Sequence, residues 1–142
     1  MIKMIAGGKA HKYWVADGIA QYEKRLRQGF KLDWSFVAEE KIEVSLKTYG
    51  DDYFVILLDE HGKQLSSPDF TQCLQQQFLH GKKIICVIGG AYGHFPPLVK
   101  ERADLVLSLS KMVLPHELCR LLLVEQIYRA QEIIEGGKYH HA

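Results

Sequence analysis

Apolar and polar positions follow one another along this chain with two periods, and the switches between them mark out its elements. Met1 to Ala6 reads as a short strand closed by Gly7 and Gly8. Val15, Ile19, Tyr22 and Leu26 then recur at spacings of four, three and four, one face of an amphipathic helix. Leu32, Trp34 and Phe36 alternate with Asp33 and Ser35, the pattern of a half-buried strand. Phe54 to Leu58 and Ile84 to Ile88 are unbroken apolar runs between turn residues, which suits strands of a parallel sheet covered on both faces by helices. Pro68 to Leu79 between them reads as the crossover helix. Leu105 to Leu107 predicts one more short strand, and Pro115 to Glu135 a long closing helix with proline well placed in its first turn. The order is β-α-β-β-α-β-α-β-α, an α/β sheet in a single domain over residues 1–142. Glu39 to Asp52 is a charged connection with room for one helical turn.

The closing helix carries two apolar stripes. Leu122, Leu123, Ile127, Ala130, Ile133 and Ile134 project to one side at about 100° per residue, an ordinary core face. Leu121, Val124 and Tyr128 form a second stripe, interleaved with Glu117, Arg120, Glu125 and Glu132. It is too apolar for plain solvent and too charged for a core, so it reads as a partner interface, most economically a homodimer.

Composition changes the picture little. At 142 residues, with 47% hydrophobic and 25% charged positions, the chain is of ordinary globular type and its main state is not disorder. A formal charge of +1 gives no basic surplus, so a nucleic-acid partner would have to be held by a local patch or a dimer surface. Lys12, Glu23, Lys24, Arg25 and Arg27 line the polar side of the first helix, as a solvated face or as a phosphate-contacting patch. Cys73, Cys86 and Cys119 are odd in number and lack CxxC spacing, and read as buried free thiols of a reducing compartment. No signal peptide or membrane span is evident, and the expected location is cytoplasmic. The seven histidines form no metal-ligand spacing, so no metal site is expected.

Three segments can carry chemistry. Ile88-Gly89-Gly90-Ala91-Tyr92-Gly93 leaves the carboxyl end of a buried strand, where open α/β sheets place ligands and where glycine lets backbone approach them. It is neither GxGxxG nor a Walker loop; a tight structural turn and a ligand loop both remain open. Leu107 to His116 runs from a strand end into the last helix, and without a GxSxG elbow Ser110 and His116 do not make a hydrolase. Gly136 and Gly137 stop the last helix and release a tail, Lys138 to Ala142, that is either a frayed terminus or a nucleobase-stacking and proton-handling element.

Taken in order, Leu58-Asp59, Gly62, Ser66-Ser67, the IGG-x-x-G loop, LSLSKMVLPH, Arg120, Glu125-Gln126, Tyr128-Arg129-Ala130 and the terminal Tyr-His resemble the RlmH family over essentially the whole chain. These are large-subunit ribosomal RNA methyltransferases of the trefoil-knot superfamily called SPOUT. The resemblance implies a mostly parallel sheet with helices on both faces, whose C-terminal segment threads a loop to make a deep trefoil knot, an exception to the rule against threading. It implies S-adenosylmethionine as cofactor, held by Leu58, Gly89 and the loop of Leu109, Ser110, Lys111, Met112, Val113 and Leu114. The implied substrate is 23S rRNA in the assembled ribosome, methylated at N3 of a pseudouridine. His140 is implied as the proton-handling group, with Tyr139 positioning the base and Arg129 favouring the anion that forms.

Two positions depart from the family pattern. The connection Glu39 to Asp52 is short, and His141 follows the Tyr-His pair where a basic residue is usual. Two competing classes are a knot-fold RNA-binding or ribosome-assembly module without turnover, and a knot methyltransferase acting on transfer RNA.

Overall fold

The computed structural model describes residues 1–90 and 95–141. Ala91, Tyr92 and Gly93 of the glycine segment, His94, and the terminal Ala142 lie outside the described residues. The elements are β1 (Ile2–Gly7), α1 (Tyr13–Glu23), β2 (Leu32–Val37), a 3-10 turn (Glu39–Lys41) running into α2 (Ile42–Leu46), β3 (Tyr53–Gln64), α3 (Ser67–Leu79), β4 (Lys83–Ile88), α4 (Pro97–Arg102), β5 (Leu105–Ser108) and α5 (His116–Glu135). Local chemistry fixes several ends. The Ser66 hydroxyl accepts from the Asp69 amide at 3.1 Å and caps α3, with Pro68 in its first turn. Gly136 closes α5 in the left-handed region, with φ of 72°.

The five strands are all parallel, in the order β2-β1-β4-β3-β5. Alternation along the inner strands sorts side chains into two cores. Ile2, Met4, Ile56, Ile84 and Cys86 face one way and pack with residues of α3 and α5, including Phe70, Leu74, Leu123 and Ile127. Ile5, Val55, Leu57, Ile85 and Val87 face the other way and meet Ile42 and Leu46 of α2 and Val99 of α4. The expected sheet with helices on both faces is therefore present. The handedness of parallel crossovers accounts for the division: β1 to β2 and β3 to β4 step in one direction, β2 to β3 and β4 to β5 in the other, so right-handed connections put α1 and α3 on one face and α2 and α4 opposite.

α5 follows β5 and returns across the first face, between α1 and α3. Here the second stripe departs from its expected role as a partner interface. Val124 is fully buried and Tyr128 nearly so, because Val15, Ile19 and Tyr22 of the chain's own α1 cover them. Leu121 packs so closely over Gly18 that a Cβ there would lie 2.9 Å from its Cδ1. Leu122, assigned to the core face, is instead 36% exposed, since the helix turns its Leu123, Ile127 and Ala130 inward. Of the cysteines, Cys86 is fully buried and burial pushes its thiol up to about 12, while Cys73 and Cys119 are half-buried. No helix among the described residues is long and apolar enough to cross a membrane.

Candidate active site

A cavity of about 640 Å³ opens at the carboxyl ends of β3, β4 and β5, the edge where parallel α/β sheets present their ligand crevices. Three local devices build it. The first is β3 itself. Leu58 and Lys63 both register with Leu107 of β5, so Asp59, Glu60, His61 and Gly62 have no partner in the ladder and bulge outward at the cavity. Gly62 is needed where the strand rejoins, because a Cβ there would sit 2.6 Å from the Val106 carbonyl oxygen. The second is the turn after β4. A Cβ on Gly90 would collide with the Glu39 carboxylate, and one on Gly7 would lie 2.9 Å from the Gly90 amide nitrogen. The third is the Leu109 to Leu114 loop, held by the Ser108 hydroxyl donating to the Ser110 carbonyl at 2.8 Å and by the Met112 amide donating to the Ser110 hydroxyl at 2.9 Å.

Seven of the eight residues expected to hold a cofactor line this cavity: Leu58, Gly89, Leu109, Ser110, Met112, Val113 and Leu114. Lys111 belongs to the same loop but does not line it. The floor is apolar, with Leu58, Ile88, Leu107, Leu109 and Leu114, whereas Asp59, Glu60, His61, Lys100 and His116 supply a charged and polar rim. Periodicity did not single out that rim, because residues of a bulge and of a short helix carry no alternating signal. Of these, only Asp59 and His116 stood in a motif, Leu58-Asp59 and LSLSKMVLPH.

The three residues expected to act on substrate come together elsewhere, at the far end of α5. The Tyr139 hydroxyl donates to Glu125 at 2.7 Å, and its ring packs edge-on against Tyr128 at 4.8 Å and beneath the Arg129 guanidinium at 4.8 Å. Burial, then the Glu125 hydrogen bond, raises the Tyr139 phenol well above its ordinary value. Arg129 is also paired with Glu125 at 2.8 Å, which raises its pKa further. Arg129 Nη1 lies 3.0 Å from His140 Nδ1. A guanidinium only donates, so that ring nitrogen accepts and the imidazole proton sits on Nε2, which is buried with no partner among the described residues. The tail released by Gly136 and Gly137 is thus docked on its own helix. Neither Arg129, Tyr139 nor His140 lines the cavity. His116 at the cavity and Arg129 are about 20 Å apart along the helix axis.

Sequence reasoning missed a buried network between the two regions. Arg120 is fully buried, paired with Glu117 at 3.1 Å, and donates to the carbonyls of Lys9 at 3.1 Å and Gly7 at 3.0 Å. Glu117 in turn accepts from the Lys12 amide at 3.0 Å. The pair ties the segment after β1 to α5.

A parallel sheet between two layers of helices, with a cavity at its carboxyl edge whose volume lies in the usual 300–1,000 Å³ range of small-molecule sites, marks an α/β protein shaped to take a small ligand; among the described residues no cluster could hold a metal ion. Comparison with known proteins gives the family. A model described as predicted SPOUT methyltransferase matches residues 1–140, and the chain belongs to that family. It is an enzyme of methyl transfer with S-adenosylmethionine as methyl donor. Among its relatives, a protein of Synechococcus sp. (strain RCC307) named ribosomal RNA large subunit methyltransferase H is 43% identical over 143 residues, covering 99% of this chain and 95% of its own. A namesake from Streptococcus sanguinis (strain SK36) is 38% identical over 157 residues, with 98% of each chain covered. That alignment is longer than the chain, so the relative carries residues this one lacks. Among solved structures, the SpoU methyltransferase AviRb from Streptomyces viridochromogenes shares the fold with a TM-score of 0.54 at 11% identity. The match covers 96% of this chain and 61% of AviRb. The A. aeolicus TrmH/SpoU tRNA modifying enzyme gives 0.51 at 12%, with 94% and 76% covered.

Proposed function

We propose that this chain methylates large-subunit (23S) ribosomal RNA, at N3 of a pseudouridine, as a homodimer acting on the ribosome. The observation that supports the reading best is the cavity, where Leu58, Gly89 and the Leu109 to Leu114 loop converge as the family resemblance implies for the methyl donor. Its residues suit that donor: an apolar floor for an adenosine and a charged rim for the end that carries charge. When bound, the sulfonium supplies an electrophilic methyl group. The chain's own residues must then bring a ring N–H to it and let the proton leave.

Arg129, Tyr139 and His140 are proposed for that work. Arg129 would stabilise the pseudouridine anion, and the Tyr139 ring offers a stacking face. His140 presents an N–H at Nε2 while Nδ1 stays on Arg129, so proton abstraction by Nδ1 requires that contact to open. With Arg129 about 15 Å along α5 from Cys119, the last residue of that helix to line the cavity, the tail of a second copy would have to approach it. Met112 and Val113, 76% and 79% exposed on the cavity loop, offer an apolar surface for such a copy. The covered stripe of α5 does not.

The test has two arms. S-adenosylhomocysteine at about 100 times its dissociation constant should stabilise the wild type by about 2.7 kcal/mol, and Gly89→Val should abolish the shift. Mass spectrometry of ribosomal RNA nucleosides should show methylpseudouridine in cells that carry the chain and none in cells without it. Loss of a methylated nucleoside from transfer RNA instead would overturn the substrate assignment.

A further inference from the structure

We propose that the ion pair of Asp59 and Lys100 on the cavity rim is the subsite for the aminoacyl end of the methyl donor, Asp59 taking the α-ammonium and Lys100 the α-carboxylate. The inference rests on the reading that the cavity holds S-adenosylmethionine. It comes from the two walls of the rim. Asp59 is the first residue of the β3 bulge, and Lys100 projects from α4 across from it, their Oδ2 and Nζ 3.5 Å apart. The Asp59 side chain is only 8% exposed, yet among the described residues its bonding is incomplete. Oδ1 accepts from the His61 amide at 2.9 Å, while Oδ2 has Lys100 at a distance beyond a good hydrogen bond. A carboxylate has about four acceptor sites, so Oδ2 keeps capacity for an ammonium donor. The half-exposed Lys100 likewise keeps donors for a carboxylate.

The rest of the cavity supports the division of labour. Its floor, Leu58, Ile88, Leu107, Leu109 and Leu114, offers apolar surface but no charge. The methyl donor is apolar at its adenine and zwitterionic at its other end. Inserting that zwitterion between Asp59 and Lys100 exchanges one matched pair for two, so no buried charge is left uncompensated. The β3 bulge gives the otherwise anomalous register of the strand a purpose. It carries Asp59 out of the ladder and sets it over the cavity, and Gly62 returns the chain to β5.

Calorimetry with two probes tests the assignment. S-Adenosylhomocysteine has the aminoacyl end and 5′-methylthioadenosine lacks it, while both share the adenosine and the thioether. Asp59→Asn and Lys100→Met should each weaken S-adenosylhomocysteine by about 10- to 100-fold, the range for a hydrogen bond to a charged group. Binding of 5′-methylthioadenosine should stay within about twofold, which also certifies the fold. Equal losses for the two probes would show that the pair merely shapes the cavity, and no loss for either would remove it from recognition; both outcomes overturn the proposal. Should Asp59→Asn fail to fold, Lys100→Met on the more exposed partner decides alone. If the wild type binds neither probe, the cofactor reading itself fails, and that is visible before any variant is compared.

Discussion

At the scale of single residues, His11 is the group whose surroundings make the clearest prediction. Its Nδ1 lies 3.3 Å from Arg120 Nη1, and its ring meets Trp34 and Phe36 edge-on at 4.4 and 4.9 Å. Burial, then the Arg120 charge, lowers its pKa from 6.5, with Glu117 opposing. The folded state therefore binds this proton less readily than the unfolded one. Stability from His11 is fully present above pH 6.5 and is lost as pH falls through that value toward the lower folded pKa. Urea denaturation of the wild type should show this acid limb, and His11→Gln, which can still accept from Arg120 but does not titrate, should show a shallower one. An identical limb in the variant would assign the loss to other groups. Arg120 itself stood in the family motif, yet its burial was not legible. The carbonyls of Gly7 and Lys9 that satisfy it belong to a segment more than a hundred positions away, and no local pattern reports such a partnership.

Among the elements, β2 and the long helices were legible from their two- and 3.6-residue apolar periods, and the inner strands β3 and β4 from unbroken apolar runs. Where the period stops, so did the reading. β3 was expected to end at Leu58 but continues to Gln64, since Glu60, His61, Lys63 and Gln64 are exposed and give no apolar alternation. On α5 the period located two stripes but could not say what covers the second one. The cover is α1, and that reverses the consequence of a charge at its centre. Val124→Glu should not release a dimer of intact subunits. It should place an unpaired carboxylate between α1 and α5 and cost about 3–5 kcal/mol, read as a lower urea midpoint independent of protein concentration. A variant with wild-type midpoint that sediments as a lighter species would restore the interface reading.

For the molecule as a whole, the cavity proposed for the methyl donor was legible at seven of the eight residues expected there, whereas its separation from the tail was not. That separation follows from the length of α5, twenty residues from His116 to Glu135. Docking of Tyr139 on Glu125 and Tyr128 also means that the tail contributes to the fold. Deleting residues 138–142 should cost about 1–3 kcal/mol, as for a hydrogen bond to a charged group, leave S-adenosylhomocysteine affinity unchanged, and abolish methyl transfer. If a second copy supplies the tail, mixing tail-deleted chains with Gly89→Val chains should restore part of the activity that neither has alone. The wild type should then run at about twice its 16.3 kDa mass in light scattering. Activity absent from the mixture, with a monomer by scattering, would refute the shared site.

The place of β1 in the sheet has a consequence for how the chain is made. β1 is an inner strand, with β2 on one side and β4 on the other, Ile2 pairing with both Leu32 and Ile84. Its first neighbour is available as soon as α1 and β2 have been synthesised, but its second arrives only some fifty residues later. At translation rates of about 5–20 residues per second that interval lasts roughly 3–10 s. Throughout it, an unpaired edge of Ile2, Met4 and Ile5 is open to any other extended chain nearby. A nascent chain arrested with Val37 just clear of the exit tunnel should therefore be bound by chaperones, and one arrested with β4 clear of the tunnel should be released.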